Sequence, residues 1–140
     1  MLGTATLSNG NIALLSDLKT HGNLDFTHIL SAELFGSYKP SPKVYLGAVE
    51  KLGLQPNECA MVAAHLGDLR AAKDLGLQAI YIERPGEEDW SAKEVEKASD
   101  EGWVDLWVSQ GVGSRGLITM AERLGVDVPI TTPKRLSSSA

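Results

Sequence analysis

Residues 60–83, AMVAAHLGDLRAAKDLGLQAIYIE, pass from an apolar run into a helix-patterned stretch closed by glycine and then back into an apolar run. Strands joined by a helix cannot pair through a tight turn. The helix has to cross over one face of the sheet, so the two strands lie parallel and the connection is right-handed. This one feature commits the chain to the α/β class, with a parallel sheet and helices packed on it.

The pattern recurs along the chain. TATLSN (4–9) reads as a short strand, and NIALLSDLKTHG places Ile12, Leu15 and Leu18/Lys19 at helical spacing with Gly22 as the stop. HILSAE (28–33) is a weaker strand. In KPSPKVYLGAVEKLG a helix begins near Pro42, where proline suits the first turn, with Leu46, Val49 and Leu52 as its apolar stripe and Gly53 as its end. AMVAA (60–64) and QAIYIE (78–83) are strands around a helix closed by Gly76. VDLWVS (104–109) predicts a further strand and RGLITMAERLG (115–125) a terminal helix, while 84–103 reads as a polar loop with a short helix. No internal repeat is visible. Residues 1–126 are read as one core domain and 127–140 as a polar, flexible tail.

Composition narrows the function classes. A chain of 140 residues, 43% hydrophobic, is one domain with room for a core. No apolar run approaches the length of a membrane span, and a net charge of −5 argues against nucleic acid as a partner. The N-terminus has no secretory pattern, and a cytoplasmic location is expected. The single Cys59 excludes an internal disulfide, and no metal-ligand spacing is present. The acidic Glu83–Glu101 segment reads as a solvated face.

In open parallel sheets ligands bind beyond the carboxyl ends of the strands. That rule puts Ser8, Asn9, His65, Asp68 and Arg84 at one rim, with Lys39 approaching from the loop before Pro42. Each has a plainer reading. Ser8 and Asn9 suit a helix cap, Lys39 a surface charge, and His65 a structural hydrogen bond. Asp68 suits an electrostatic role at a helix N-terminus, and Tyr45 a half-buried residue with its hydroxyl in water. GVGSRG (111–116) matches the dinucleotide fingerprint, but no strand with an acid follows it, and its glycines are read as a turn.

Taken together, TLSNGN, FGSYKPSPKVY and MVAAHLGDLRAAKDLGLQAIYIERPG resemble the haloacid dehalogenase superfamily, in particular its 2-haloacid dehalogenase (type II) branch. The resemblance covers roughly residues 4–86, and LITMAERLG is similar to the closing helix. It implies a Rossmann-like, three-layer α/β/α core and hydrolysis of a carbon–halide bond through an aspartyl ester. It also implies that Ser8 and Asn9 hold substrate oxygens, that Lys39 lies against the nucleophilic carboxylate, and that Tyr45 edges the site. Asp68 would fix the lysine and orient water. His65 and Ala63 stand where bacterial members carry asparagine and serine, and His65 is a candidate base for the second step. Magnesium-dependent phosphatases of the superfamily carry a Gly-Asp pair where Ala63–Ala64 stand, so no metal and no cofactor are expected.

The same resemblance leaves a gap. The family's nucleophilic aspartate sits on a first strand ahead of the LSNG motif, and no such segment precedes it here. The core is therefore expected to be incomplete, with an apolar seam between the strands near 4–8 and 60–64. A small 2-haloacid or related carboxylate is the expected substrate. A homo-oligomer, or pairing with a chain that supplies the missing strand, is the expected partnership. A non-catalytic polypeptide held by such pairing is the alternative.

Overall fold

The computed structural model describes residues 2–109 and 115–126. In chain order the elements are β1 (Ala5–Ser8), α1 (Ile12–His21), β2 (His28–Ser31), α2 (Pro42–Lys51), β3 (Ala60–Ala63), α3 (Leu66–Asp74), β4 (Gln78–Ile82), α4 (Ala92–Glu101), β5 (Leu106–Val108) and α5 (Gly116–Arg123). Short 3-10 turns at Ala32–Phe35 and Pro56–Glu58 lead toward α2 and β3. The strands form two small sheets, β1-β2 and β3-β4-β5, and every pairing is parallel. The chain thus has the α/β architecture that strand–helix–strand alternation requires, in an incomplete form.

Local chemistry explains the element boundaries. The Asn11 side chain accepts from Leu14 N–H at 2.8 Å and caps α1, while Glu33 Oε2 accepts from Ile12 N–H at 3.2 Å. The cap is therefore Asn11, not Ser8 or Asn9. Ser91 and Glu94 form a capping box that starts α4. Pro42 opens α2, but the buried face of that helix is Val44, Tyr45, Ala48 and Val49, and Leu46 is exposed. The stripe expected through Leu46 and Leu52 is thus rotated by one position. At 100° per residue, a shift from 46 to 45 is enough to turn a tyrosine inward.

Burial differs sharply between neighbouring strands. From Ala79 to Ile82, β4 is buried throughout, as a strand paired on both sides and covered on both faces should be. Its alternate residues Ala79 and Tyr81 share a core with Leu66, Leu69 and Ala98 from α3 and α4. A second core joins Tyr45 and Val49 of α2 to Ala72 and Leu77. By contrast Met61, Val62 and Ala63 on β3 remain partly exposed, and among the described residues β3 pairs only with β4 and β1 only with β2. The apolar seam lies between these two edges.

Residues 111–114 of the GVGSRG stretch and the whole of 127–140 lie outside the described residues; Gly116 is the first residue of α5. Among the described residues no helix is long and apolar enough to cross a membrane.

One polar clamp ties α3, β4 and β5 together. Lys73 Nζ reaches both oxygens of Asp105 at 3.0 and 2.8 Å, and Ala79 N–H donates to Asp105 Oδ2 at 2.7 Å. Burial alone would raise the Asp105 carboxyl, but the Lys73 and backbone hydrogen bonds outweigh it and hold it below its ordinary 3.8. A lowered carboxyl contributes stability above the unfolded-state value that is lost as pH falls through the folded-state value. Asp105→Ala is expected to destabilise the chain by about 1–3 kcal/mol at neutral pH, because Ala79 N–H loses its acceptor. Urea denaturation should show the gap between wild type and variant holding at neutral pH and closing below pH 3.8.

Candidate functional site

At the carboxyl ends of β1 and β3 the seam widens into a groove of about 270 Å³. Leu7 of β1 and Met61–Ala64 on and just after β3 form its apolar walls, and Leu117 of α5 closes one side. Lys39, His65, Asp68, Arg84 and Glu87 supply its polar groups. A wider surface depression of about 390 Å³ runs along α4 between Lys93, Glu96, Lys97, Asp100 and Glu101; it gathers only charges of a single solvated helix face.

Asp68 is the centre of the groove's polar side. It lies in the first turn of α3, where the helix dipole favours a negative charge. Lys39 Nζ stands 2.7 Å from Oδ2, and the Tyr45 hydroxyl donates a short hydrogen bond to Oδ1. Lys39 and Asp68 are only 18% and 16% exposed, so solvent screens the pair weakly. Three chain regions meet here: the loop before α2, α2 itself and the start of α3.

Each approach has a local cause. The Lys39 backbone N–H donates to Asn9 Oδ1 at 2.8 Å, which ties the lysine loop to the turn after β1. That turn is itself closed, with Gly10 N–H donating to Ser8 Oγ at 3.0 Å and Ser31 Oγ–H donating to the Gly10 carbonyl at 2.6 Å. Ser8 and Asn9 therefore sit beside the groove with their oxygens engaged by the chain's own backbone. His65 lines the groove from the N-cap position of α3, and its imidazole makes no hydrogen bond to another described residue.

Tyr45 departs from its expected setting. Its ring is fully buried, and its hydroxyl meets Asp68 instead of water. Burial, reinforced by the hydrogen bond to Asp68 and by the Asp68 charge, pushes the phenol well above its ordinary 10.0. The acid-rich segment departs too: Glu83 accepts from the Trp107 indole at 2.8 Å and Glu88 from Leu66 N–H at 2.9 Å. In a run of acids these two look like solvated charges, and nothing in their local spacing marks them as inward-facing.

Among the described residues, few oxygen ligands for a divalent cation are at hand beside Asp68. Such an ion wants several oxygen ligands, yet both Asp68 oxygens already accept hydrogen bonds and Ala63 and Ala64 offer no side-chain oxygen. No group of three or more His, Cys, Asp or Glu side chains able to hold a metal occurs among the described residues.

Known proteins resemble this chain at the level of family and fold. A family model described as a haloacid dehalogenase-like hydrolase matches residues 2–76. The chain is 37% identical over 84 residues to (S)-2-haloacid dehalogenase 4A of Burkholderia cepacia, spanning 59% of this chain and 36% of that protein. It is 34% identical over 83 residues to (S)-2-haloacid dehalogenase 1 of Pseudomonas sp. (strain CBS-3), spanning 58% of this chain and 37% of the relative. Among solved structures, an L-2-haloacid dehalogenase superposes with a TM-score of 0.69 at 40% identity, covering 86% of this chain and 49% of that one. A phosphatase of the same superfamily from Thermococcus onnurineus superposes with a TM-score of 0.64 at 27% identity, covering 88% of this chain and 50% of that one.

Two of the three tyrosines should be silent in an alkaline titration followed by tyrosinate absorbance. Burial first, and then Glu88, raises Tyr81 in the way that burial and Asp68 raise Tyr45. A phenol raised in the folded state stabilises fully below its unfolded value, and the contribution fades as pH climbs past that value. The folded chain should therefore lose stability above pH 10, and both phenols should ionise only with unfolding. Tyr45→Phe is expected to cost about 1–3 kcal/mol by removing a donor from the part-buried Asp68, measurable by urea denaturation.

Proposed function

This chain belongs to the haloacid dehalogenase-like hydrolase family, and on that premise we propose that it carries the lysine–acid side of a 2-haloacid dehalogenase site. The observation that carries the reading is the weakly screened Lys39–Asp68 pair, braced by Tyr45 and facing a groove between strand edges that no described residue pairs. The chain spans about a third of the length of the curated relatives it matches and about half of the solved structures. The nucleophilic carboxylate is assigned to polypeptide outside these residues, docking as a strand between β1 and β3. A longer natural chain or a separate strand-donating partner is its source.

The chemistry follows from the charges. A carboxylate oxygen attacks the α-carbon, the carbon–halogen bond breaks, and halide leaves with the bonding pair. Lys39 keeps the attacking carboxylate ionised and stabilises charge at the reacting centre. Asp68 holds that ammonium in place, and Tyr45 holds Asp68. Water then adds to the ester carbonyl and releases a 2-hydroxy acid. His65 is the group assigned to take the water's proton, because its imidazole lines the groove and bonds to no other described residue. The turn of Ser8 and Asn9 is assigned to the substrate carboxylate, and Asn9 links it to Lys39. No metal enters this scheme, consistent with an Asp68 carboxylate whose two oxygens are engaged. The reaction is assigned to the cytoplasm.

Chloride release from 2-chloropropionate, measured on this chain and on a longer one carrying an aspartate-bearing strand, tests the reading. The longer chain should turn over and the present chain should not. In the longer chain Lys39→Ala should lower kcat by roughly a hundredfold or more, and His65→Ala should slow single-turnover ester hydrolysis by about 10²–10⁴. Activity in the present chain would contradict the external nucleophile, and unchanged hydrolysis in His65→Ala would remove that residue from the scheme. Turnover of p-nitrophenyl phosphate abolished by a chelator would favour a phosphatase instead, and silence in both chains a non-catalytic polypeptide.

A further inference from the structure

The segment between β4 and α4 does more than connect them. The Glu88 carboxylate is a hub between two chain regions: Leu66 N–H donates to Oε2 at 2.9 Å and Trp90 N–H donates to Oε1 at 3.1 Å. Leu66 is the first residue of α3, and the N-cap residue His65 makes no side-chain cap. One of the amides that a helix start leaves without an intrahelical acceptor is thus satisfied by an acid 22 positions away. A negative charge at that end of a helix is also favoured by its dipole.

The same segment reaches the next residue. A Cβ on Gly67 would meet the Trp90 indole nitrogen at 3.5 Å, so the edge of the ring stands beside the first turn of α3, with Gly67 itself exposed. Trp90 is fixed in turn against the core of Leu66, Leu69, Ala79, Tyr81 and Ala98. Asp68 follows on that turn. It is therefore gripped from one side by Lys39 and Tyr45, and its turn is gripped from the other by Glu88 and Trp90.

We propose that Glu88 is a positioning residue for the Lys39–Asp68 pair: by capping α3 from the β4–α4 segment it sets where the Asp68 carboxylate stands in the groove. A helix start without its cap frays in the first turn. Displacements of an ångström in a reacting constellation are enough to cost orders of magnitude in rate. The catalytic importance of this role rests on the functional reading above, but the role itself is a property of the chain and is testable without turnover.

The experiment compares wild type with Glu88→Ala and Glu88→Gln by residue-resolved amide hydrogen exchange and by the ¹H–¹⁵N resonance of the Lys39 ammonium, with Asp68→Asn as the reference for a broken pair. In Glu88→Ala the amides of Leu66 and Leu69, which bond Glu88 and the His65 carbonyl, should exchange roughly tenfold faster or more. The Lys39 resonance should move toward its position in Asp68→Asn, while Ile80 and Val108 in the sheet keep their protection. Glu88→Gln keeps one carbonyl oxygen but turns an NH₂ toward an N–H donor, and should fall between the two; it also serves if the alanine variant does not fold. An unmoved Lys39 resonance beside faster Leu66 exchange would overturn the proposal. So would a parallel loss of protection across the sheet in both variants, which would make Glu88 a general stabiliser. Displacement of the Lys39 resonance together with absent halide release from the longer, aspartate-bearing chain would leave this inference standing and count only against the dehalogenase reading.

Discussion

The Asp68 carboxylate is the constraint on which the site depends. It is held away from most solvent, and such a group is tolerated only with a cation and hydrogen-bond donors around it. Lys39 supplies the first and Tyr45 the second, from sequence distances of 29 and 23 residues. Meeting that demand brings the loop before α2, the buried face of α2 and the first turn of α3 to one point. The pair is also a store of reactivity, because an ammonium with one carboxylate partner and an open groove beside it is an attractive neighbour for a second anion.

The sheet decides where that pair stands. Parallel strands put all their carboxyl ends on one rim, so the turn after β1 and the turn after β3 face the same groove. β4, with neighbours on both sides, is buried throughout, whereas β3, with one neighbour among the described residues, leaves Met61 to Ala63 half-open. Unpaired strand edges lined by apolar side chains are what another strand recognises. On the proposed reading the groove is both the floor of the candidate site and a seat for backbone.

Periodicity was enough to read the order of strands and helices, and strand–helix–strand alternation was enough to make the sheet parallel. The rim residues His65, Asp68 and Arg84 followed from the same rule, and the structure brings them with Lys39 into one groove. The orientation of α2 did not follow. Leu46 and Tyr45 are both plausible core residues, and only packing against Ala72 and Leu77 selects the tyrosine. Glu88 was equally illegible, since an acid that caps a helix 22 residues upstream looks in sequence like any other charge in an acidic run. Local rules report what a residue can do at its own position, and these contacts are made by folding distant positions together.

The central claim is that Lys39 and Asp68 face a seat for a strand that ends in a carboxylate. A crystal structure of a longer polypeptide containing this chain tests it most directly. The expected result is a parallel strand hydrogen-bonded to both β1 and β3, with a carboxylate within about 3 Å of Lys39 Nζ, the distance of a charge-assisted hydrogen bond. Direct pairing of β1 with β3, or a Lys39 ammonium turned away from Asp68 in that structure, would contradict it.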